Sequence, residues 1–195
     1  MSKYPTNDDS YRFLFEGADI RGETVILDNV LKDLIGTHAY GPGVQKLLGE
    51  FAAATVVISN NLKFDGRVVL QGRSDGPISL IMVECSSDGD VRGIAHGELE
   101  APEGPMKSHL PNGVLTLTIE PEVGQRYQGI IAVQRDELAG CAQRLLRAKR
   151  TTCHQILAVH ARWIICRPDA PTATKTAHRR RGRAARPVAN SVCAR

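Results

Sequence analysis

The sequence predicts an α+β protein: twisted, antiparallel-rich sheets covered by helices, followed by an irregular basic C-terminal tail. Three observations carry this. Leu62 to Ala95 (LKFDGRVVLQGRSDGPISLIMVECSSDGDVRGIA) reads as three short strands joined by tight turns. Gly113 to Glu120 (GVLTLTIE) and Arg126 to Val133 (RYQGIIAV) read as two more. Between Pro42 and Asn60, residues Val44, Leu47, Leu48, Phe51, Ala52, Thr55 and Ile58 fall on one stripe at three-to-four spacing, the signature of an amphipathic helix.

Taken in order, residues 11–27 carry two strand-like runs, YRFLFEG and IRGETVIL, with Gly22 as a bulge or a close backbone approach. Asp28 is placed to cap a short helix through Ile35, and Gly36 to stop it. Pro42 suits the first turn of the long helix. The run Ala52-Ala53-Ala54 keeps one side small, so this helix can approach a sheet closely. In the meander, Val68, Leu70 and Gly72 alternate with Val69, Gln71 and Arg73, which predicts a strand with two unlike faces. Ser74 to Pro77 and Ser86 to Asp90 supply the turns. Ile78 to Cys85 is apolar at almost every position, which predicts a strand buried on both faces. Gly97 to Pro111, with three Pro and two Gly, reads as a wide connection between sheets. Asp136 and Glu137 open a last helix carrying Leu138, Cys141, Leu145 and Leu146.

The 195 residues suit one domain with a tail. No apolar run approaches the ~20 residues a membrane span needs, and the polar start MSKYPTNDDS has no secretion signal. A soluble, cytoplasmic protein with no membrane partner is expected. Five Cys without a signal peptide argue against a disulfide scaffold. The net charge of +4 averages two unlike halves. Residues 1–138 hold 12 Lys+Arg against 20 Asp+Glu, a net −8, whereas residues 139–195 hold 13 against 1, a net +12. Sixteen of the 18 Gly precede residue 139 and four of the five Cys follow it, so the halves do not look like products of one selection.

No nucleophile elbow, phosphate-binding glycine loop or metal-binding His-Glu helix is present. The expectation is a protein that is not an enzyme, with no catalytic, cofactor-binding or metal-binding residues. Cys85, at the end of an apolar strand, reads as an inert buried thiol. His38, His96 and His109 read as surface histidines. Glu84, Asp88 and Asp90 gather near one turn, where carboxylates ordinarily serve solubility. Cys153, His154, His160 and Cys166 match no zinc spacing. The run from His178 to Arg186 could hold nucleic acid non-specifically through phosphate contacts, since no aromatics interleave it to stack bases. A nucleic-acid-associated protein acting through this Arg-rich tail is the alternative function.

YRFLFEGADIRGE, GVQKLLGEFAAAT, LKFDGRVVLQGRSDGPISLIMVEC, VRGIAHGE and RYQGIIAV, in this order and spacing, resemble the heat-shock protein 33 family of redox-regulated chaperones. The resemblance covers residues 11–138. It implies an ATP-independent holdase that binds unfolding client proteins under oxidative stress. It also implies a following linker and a zinc module of four Cys, a Cys-x-Cys and a Cys-x-x-Cys. Oxidation of that module releases zinc, unfolds the linker and exposes the client-binding surface.

This chain departs from the pattern after the DELAG opening of the last helix. The family continues with an SEQLPT-like segment and another strand, and here neither follows. The later Cys stand at 141, 153, 166 and 193, so neither cysteine motif exists and the zinc switch maps onto no residue. We therefore divide the chain into an incomplete chaperone domain, 1–140, and a basic tail, 141–195, read in a shifted frame or disordered. The expected function is a holdase without its zinc–cysteine switch and with no cofactor. Its partners are unfolded proteins, with a homodimer through uncovered edges and non-specific nucleic acid left open.

Overall fold

The computed structural model describes residues 8–14, 21–62, 65–147, 155–159, 162–166 and 186–187. Strands β1 (Asp9–Leu14) and β2 (Arg21–Ile26) form an antiparallel hairpin with Asp9 opposite Ile26. Helix α1 (Asn29–Gly36) follows. Asp28 precedes it as expected but makes no side-chain cap, because its own backbone is already helical at φ −104°. The cap comes from across the hairpin. The buried Asp8 carboxylate accepts the Asp28 N–H at 2.7 Å and the Val30 N–H at 3.2 Å. Asp28 instead pairs with Lys32 one turn on, at 3.1 Å.

Helix α2 (Pro42–Asn60) begins and ends where the sequence predicts. Its burial is wider than one stripe: residues 51–58 are all buried. The helix has a sheet on each side, so the Ala52-Ala53-Ala54 side is covered as well as the Leu48–Phe51 side. The meander β3 (Gly66–Arg73), β4 (Ile78–Ser86) and β5 (Asp90–Gly97) is antiparallel throughout. A connection carrying the short helix α3 (Met106–His109) leads to β6 (Val114–Pro121), which pairs with β3, and then to β7 (Tyr127–Ala132). Helix α4 (Leu138–Arg147) closes the part of the chain that the sequence reading accounts for.

Strands β8 (Gln155–Val159) and β9 (Arg162–Cys166) form an antiparallel pair, and β9 extends the β1–β2 sheet. No strand was expected beyond about residue 150. QILAV and RWIIC are short apolar runs on either side of a two-residue link, so they satisfy the local requirement for a hairpin without longer periodicity. β10 (Arg186–Pro187) is a two-residue bridge to β5. The sheet orders are β1-β2-β9-β8 and β10-β5-β4-β3-β6-β7.

The core lies between α2 and the larger sheet. Val68 and Leu70 of β3, Ile81, Val83 and Cys85 of β4, and Leu115 and Leu117 of β6 are all at most 1% exposed. Gly72 makes the seat for Phe51: a Cβ there would meet Ile81 and Leu110 at 3.0 Å and the Phe51 ring at 3.2 Å. The Gly97–Pro111 connection does not run between sheets as expected: it carries the chain from β5 to β6 within the larger sheet, passing over its end instead of leaving it. Met106, His109 and Leu110 are buried, so α3 plugs one end of the core. His109 is therefore not a surface histidine; Met106 and Leu110 on either side of it anchor the turn and carry it inward. His38 and His96 are exposed as expected.

Candidate binding face

β4 is where the structure departs most usefully from the pattern. Ile78, Ile81, Val83 and Cys85 are buried, while Leu80, Met82 and Glu84 are half-buried. The strand was expected to be covered on both faces, and only one is covered. Helix side chains mark which. A Cβ on Gly93 would touch Leu34 of α1 at 3.4 Å, and one on Gly129 would touch Leu145 of α4 at 3.5 Å. Both glycines share the face of Val83 and Leu117, on which α2 also packs.

The strand registers fix what the other face presents. One row runs Ile94, Met82, Gln71, Thr116, Ile130 across β5, β4, β3, β6 and β7. On one side of it lies the row His96, Leu80, Arg73, Val114, Ala132, and on the other Arg92, Glu84, Val69, Thr118, Gln128. Val114 is 40% and Ile130 62% exposed, and Val69, Leu80, Met82 and Ile94 are half-buried. Seven apolar side chains thus share an open sheet face. Soluble proteins seldom leave a contiguous apolar surface of this kind without a use for it.

A ladder of charge borders this face at one end. Arg126 meets Glu120 at 3.1 Å, Glu120 meets Arg67 at 2.5 Å, and Glu84 lies 3.8 Å from Arg67 and 3.9 Å from Arg92. The hydrogen bond from Arg67 to Glu120, helped by the charges of Glu84 and Glu120, raises the Arg67 pKa further above its ordinary range. The three Arg are more than half exposed, so each pair adds little stability. Their effect is to keep the border hydrated beside the apolar rows.

A second polar cluster holds the β1–β2 hairpin to the end of α2. The Glu23 carboxylate, 2% exposed, accepts from Ser10 Oγ at 2.6 Å, Asn60 Nδ2 at 2.8 Å, Asn61 Nδ2 at 2.9 Å and Arg12 Nε at 3.2 Å. Arg12 also donates to the Asn60 carbonyl. Four donors saturate this carboxylate, which suits anchoring and leaves nothing for acid–base work. Glu23 was not singled out from the sequence. Its parity with the buried Val25 was the available signal, since an acid on the core side of a strand requires donors.

The remaining residues that the sequence singled out are not brought together as a reactive centre. Cys85 sits between Val68 and Val91 on neighbouring strands and is 1% exposed. Burial, outweighing a hydrogen bond with Ser59, pushes its thiol from 9.0 up to about 11. It stays protonated at neutral pH and is no nucleophile. Glu84 is committed to the charge ladder and lies away from Cys85 on the opposite face of β4. Among the described residues, no group of three or more His, Cys, Asp or Glu could hold a metal. Cys85 and Cys141 are separate buried thiols. Among the described residues, these two thiols alone do not make a four-thiolate zinc site. Cys153, His154, His160 and most of the His178–Arg186 run lie outside the described residues. No helix among the described residues is long and apolar enough to cross a membrane.

With this geometry in place, comparison with known proteins gives one consistent family. The profile described as Hsp33 protein matches residues 8–150. The 33 kDa chaperonin of Pseudomonas fluorescens is 43% identical over 143 residues, which cover 72% of this chain and 48% of that protein. The 33 kDa chaperonin of Ectopseudomonas mendocina is 48% identical over 137 residues, 69% of this chain and 46% of that one. The chain spans about half the length of the curated relatives it matches. The crystal structure of the 33 kDa chaperonin of Thermotoga maritima superposes with a TM-score of 0.71 at 15% identity, over 85% of this chain and 62% of that one. At that identity the likeness establishes the fold: antiparallel sheets with helices packed on them.

Proposed function

The chain belongs to the Hsp33 family, and from that premise we propose that it is an ATP-independent holdase that binds unfolding proteins and lacks the zinc–cysteine switch. The observation that supports this reading is the open face of the larger sheet. A holdase needs exposed apolar surface bordered by charge, where an enzyme needs a converging polar pocket. Ile94, Met82, Leu80, Val69, Val114 and Ile130 supply the first requirement and the Arg126–Glu120–Arg67–Glu84–Arg92 ladder the second. With Cys85 and Cys141 buried and no paired cysteine motif in the sequence, nothing in the core responds to oxidant. Client holding is constitutive. In an aggregation assay with a thermally unfolding client, the chain suppresses light scattering equally before and after peroxide treatment. A rise in activity on oxidation, reversed by thiol reductant, overturns the missing switch; no suppression in either state overturns the holdase.

The genetic code supports a further part of this reading, that the residues after about Gly140 are translated in a shifted frame. Lys149-Arg150-Thr151-Thr152 can be encoded AAG-CGA-ACA-ACT, followed by the T of the Cys153 codon. Read one nucleotide later, the same bases are AGC-GAA-CAA-CTT, which spell SEQL. Codons allowed for Leu146 to Trp163 give FARSEQLATKFWLYTQD in that frame without interruption. Codons chosen in this way would supply an SEQLPT-like segment followed by the apolar run KFWLYT, which would fall on the codons that here encode β8. The Arg-rich tail is then a by-product of the frame and not a selected nucleic-acid site. Resequencing the gene across the Gly140 and Leu146 codons tests this. The expected result is a one-nucleotide change that restores that frame and, further on, Cys-x-Cys and Cys-x-x-Cys. Codons that cannot spell SEQL in the second frame overturn it.

A further inference from the structure

We propose that Met82 is a reversible oxidation site on the open sheet face, and that its conversion to the sulfoxide weakens client holding. The accessibility of the thioether stands on the fold; its effect on clients rests on the holdase reading.

The chain has three methionines, Met1, Met82 and Met106. The last two have opposite surroundings. Met106 is 2% exposed, at the end of the core that α3 plugs. Met82 is half-buried on the uncovered side of β4, in the row Ile94, Met82, Gln71, Thr116, Ile130. Cys85 and Cys141 do not compete with it for oxidant. Both are buried, and Cys85 stays in the unreactive thiol form. Among Met82, Met106, Cys85 and Cys141, Met82 alone is open to an oxidant arriving from solvent.

An N-chloroamine supplies a balanced step. The thioether sulfur takes the chlorine and releases the amine. Water then attacks the chlorosulfonium sulfur and expels chloride. The sulfur gives up two electrons and keeps the oxygen of that water, whose two protons convert the freed amine to an ammonium ion. A methionine sulfoxide reductase reverses the change, because two thiols supply two electrons and two protons and the oxygen leaves as water.

The product is tolerated by the fold and not by a client. β4 is held through its backbone on both sides, with Met82 opposite Ile94 and Gln71. The Gln71 amide, oriented to satisfy its bonds, accepts from the Arg73 guanidinium through its carbonyl and keeps its N–H2 group as a donor for the sulfoxide oxygen. The sheet therefore keeps its pairing. A client segment laid across the row meets a polar oxygen where it met a thioether, and covering that oxygen costs desolvation.

The test uses the full chain with Cys153, Cys166 and Cys193 replaced by Ser, treated with N-chlorotaurine and then freed of it. Peptide mass analysis shows one added oxygen at Met82 while Met106 stays unmodified. The ratio of chain to client that halves the scattering rises about fivefold, with an unchanged circular dichroism spectrum. Methionine sulfoxide reductase restores the original ratio. Met82→Leu, compared with its own untreated form, loses nothing on treatment. Hydrogen peroxide attacks thioethers far more slowly than an N-chloroamine does, so brief peroxide treatment leaves the ratio where it was. The dye ANS reads the face with no client present. Its emission falls on treatment of the chain with Met82 and not of Met82→Leu.

Oxidation of Met106 as fast as Met82 overturns the site. A sulfoxide at Met82 that leaves both the ratio and the dye emission unchanged overturns its effect, and so does an equal loss in Met82→Leu. A chain that suppresses no aggregation before treatment removes the holdase reading. Selective oxidation with a fall in dye emission then still supports Met82 as the switch of this face, and the lack of either overturns it.

Discussion

Replacing Glu23 by alanine lowers the unfolding free energy by about 2 kcal/mol, the range found when buried neutral donors lose their acceptor. The physical cause is the donor set left behind. Ser10 Oγ and the side-chain amides of Asn60 and Asn61 all end on this one carboxylate, with Arg12 completing it. Without it, the Asn60 amide keeps only Ser10 Oγ at 3.2 Å and the Asn61 amide only the Val57 carbonyl at 2.8 Å, and the Ser10 hydroxyl loses its acceptor. That junction joins β1 and β2 to the last turn of α2, so the loss is directional. Urea denaturation gives a lower midpoint, and hydrogen exchange shows β1 and β2 losing protection before β3, β4 and β6. Glu23→Gln keeps one acceptor oxygen but sets its amide against either Ser10 and Asn60 or Arg12 and Asn61, and falls between wild type and alanine. A midpoint unchanged by Glu23→Ala would mean that the hairpin is held by its apolar contacts, with Val25 the main one, and that the cluster is incidental.

The contrast between Glu23 and the helix α2 shows which features the sequence makes legible. The limits of α2 follow from local chemistry: Pro42 pre-sets the first turn, and the apolar period persists to Ile58. The meander turns are equally local, since Asp75-Gly76-Pro77 and Asp88-Gly89 can do little else. What the sequence hides is set by contacts between distant residues. Asp28 has the right type to cap α1, and Asp8 does so instead because hairpin formation brings it over the helix end. His109 sits in a stretch rich in Pro and Gly, yet Met106 and Leu110 draw it inside. The family, by contrast, is legible from ordered segments over residues 11–138, because a shared fold constrains many positions at once. Charge and glycine content change together after residue 138, whereas the family profile runs on to residue 150.

Lysine at both Met82 and Ile94 weakens client holding roughly tenfold or more while changing stability by less than about 1 kcal/mol. These two residues face each other across β4 and β5, at the head of the apolar row. An all-apolar strand is ordinarily explained by burial on both faces. In β4 that explanation holds for Ile81, Val83 and Cys85 and fails for Leu80 and Met82, which are half-open to solvent. Folding alone gives no reason for apolar side chains there, because a polar residue would be tolerated on an uncovered face. Binding does give a reason, since an unfolded segment laid across the rows recovers the hydrophobic contribution that folding leaves unused. Lysine removes that contribution but can extend its ammonium group into water, so the fold bears little cost. Val123→Lys, at a site 91% exposed in the β6–β7 link and away from the rows, leaves holding unchanged. The comparison is made by titrating each variant against an aggregating client and reading the ratio that halves the scattering. Full suppression by the double lysine variant would place the client surface elsewhere and leave the apolar side of β4 without a functional account.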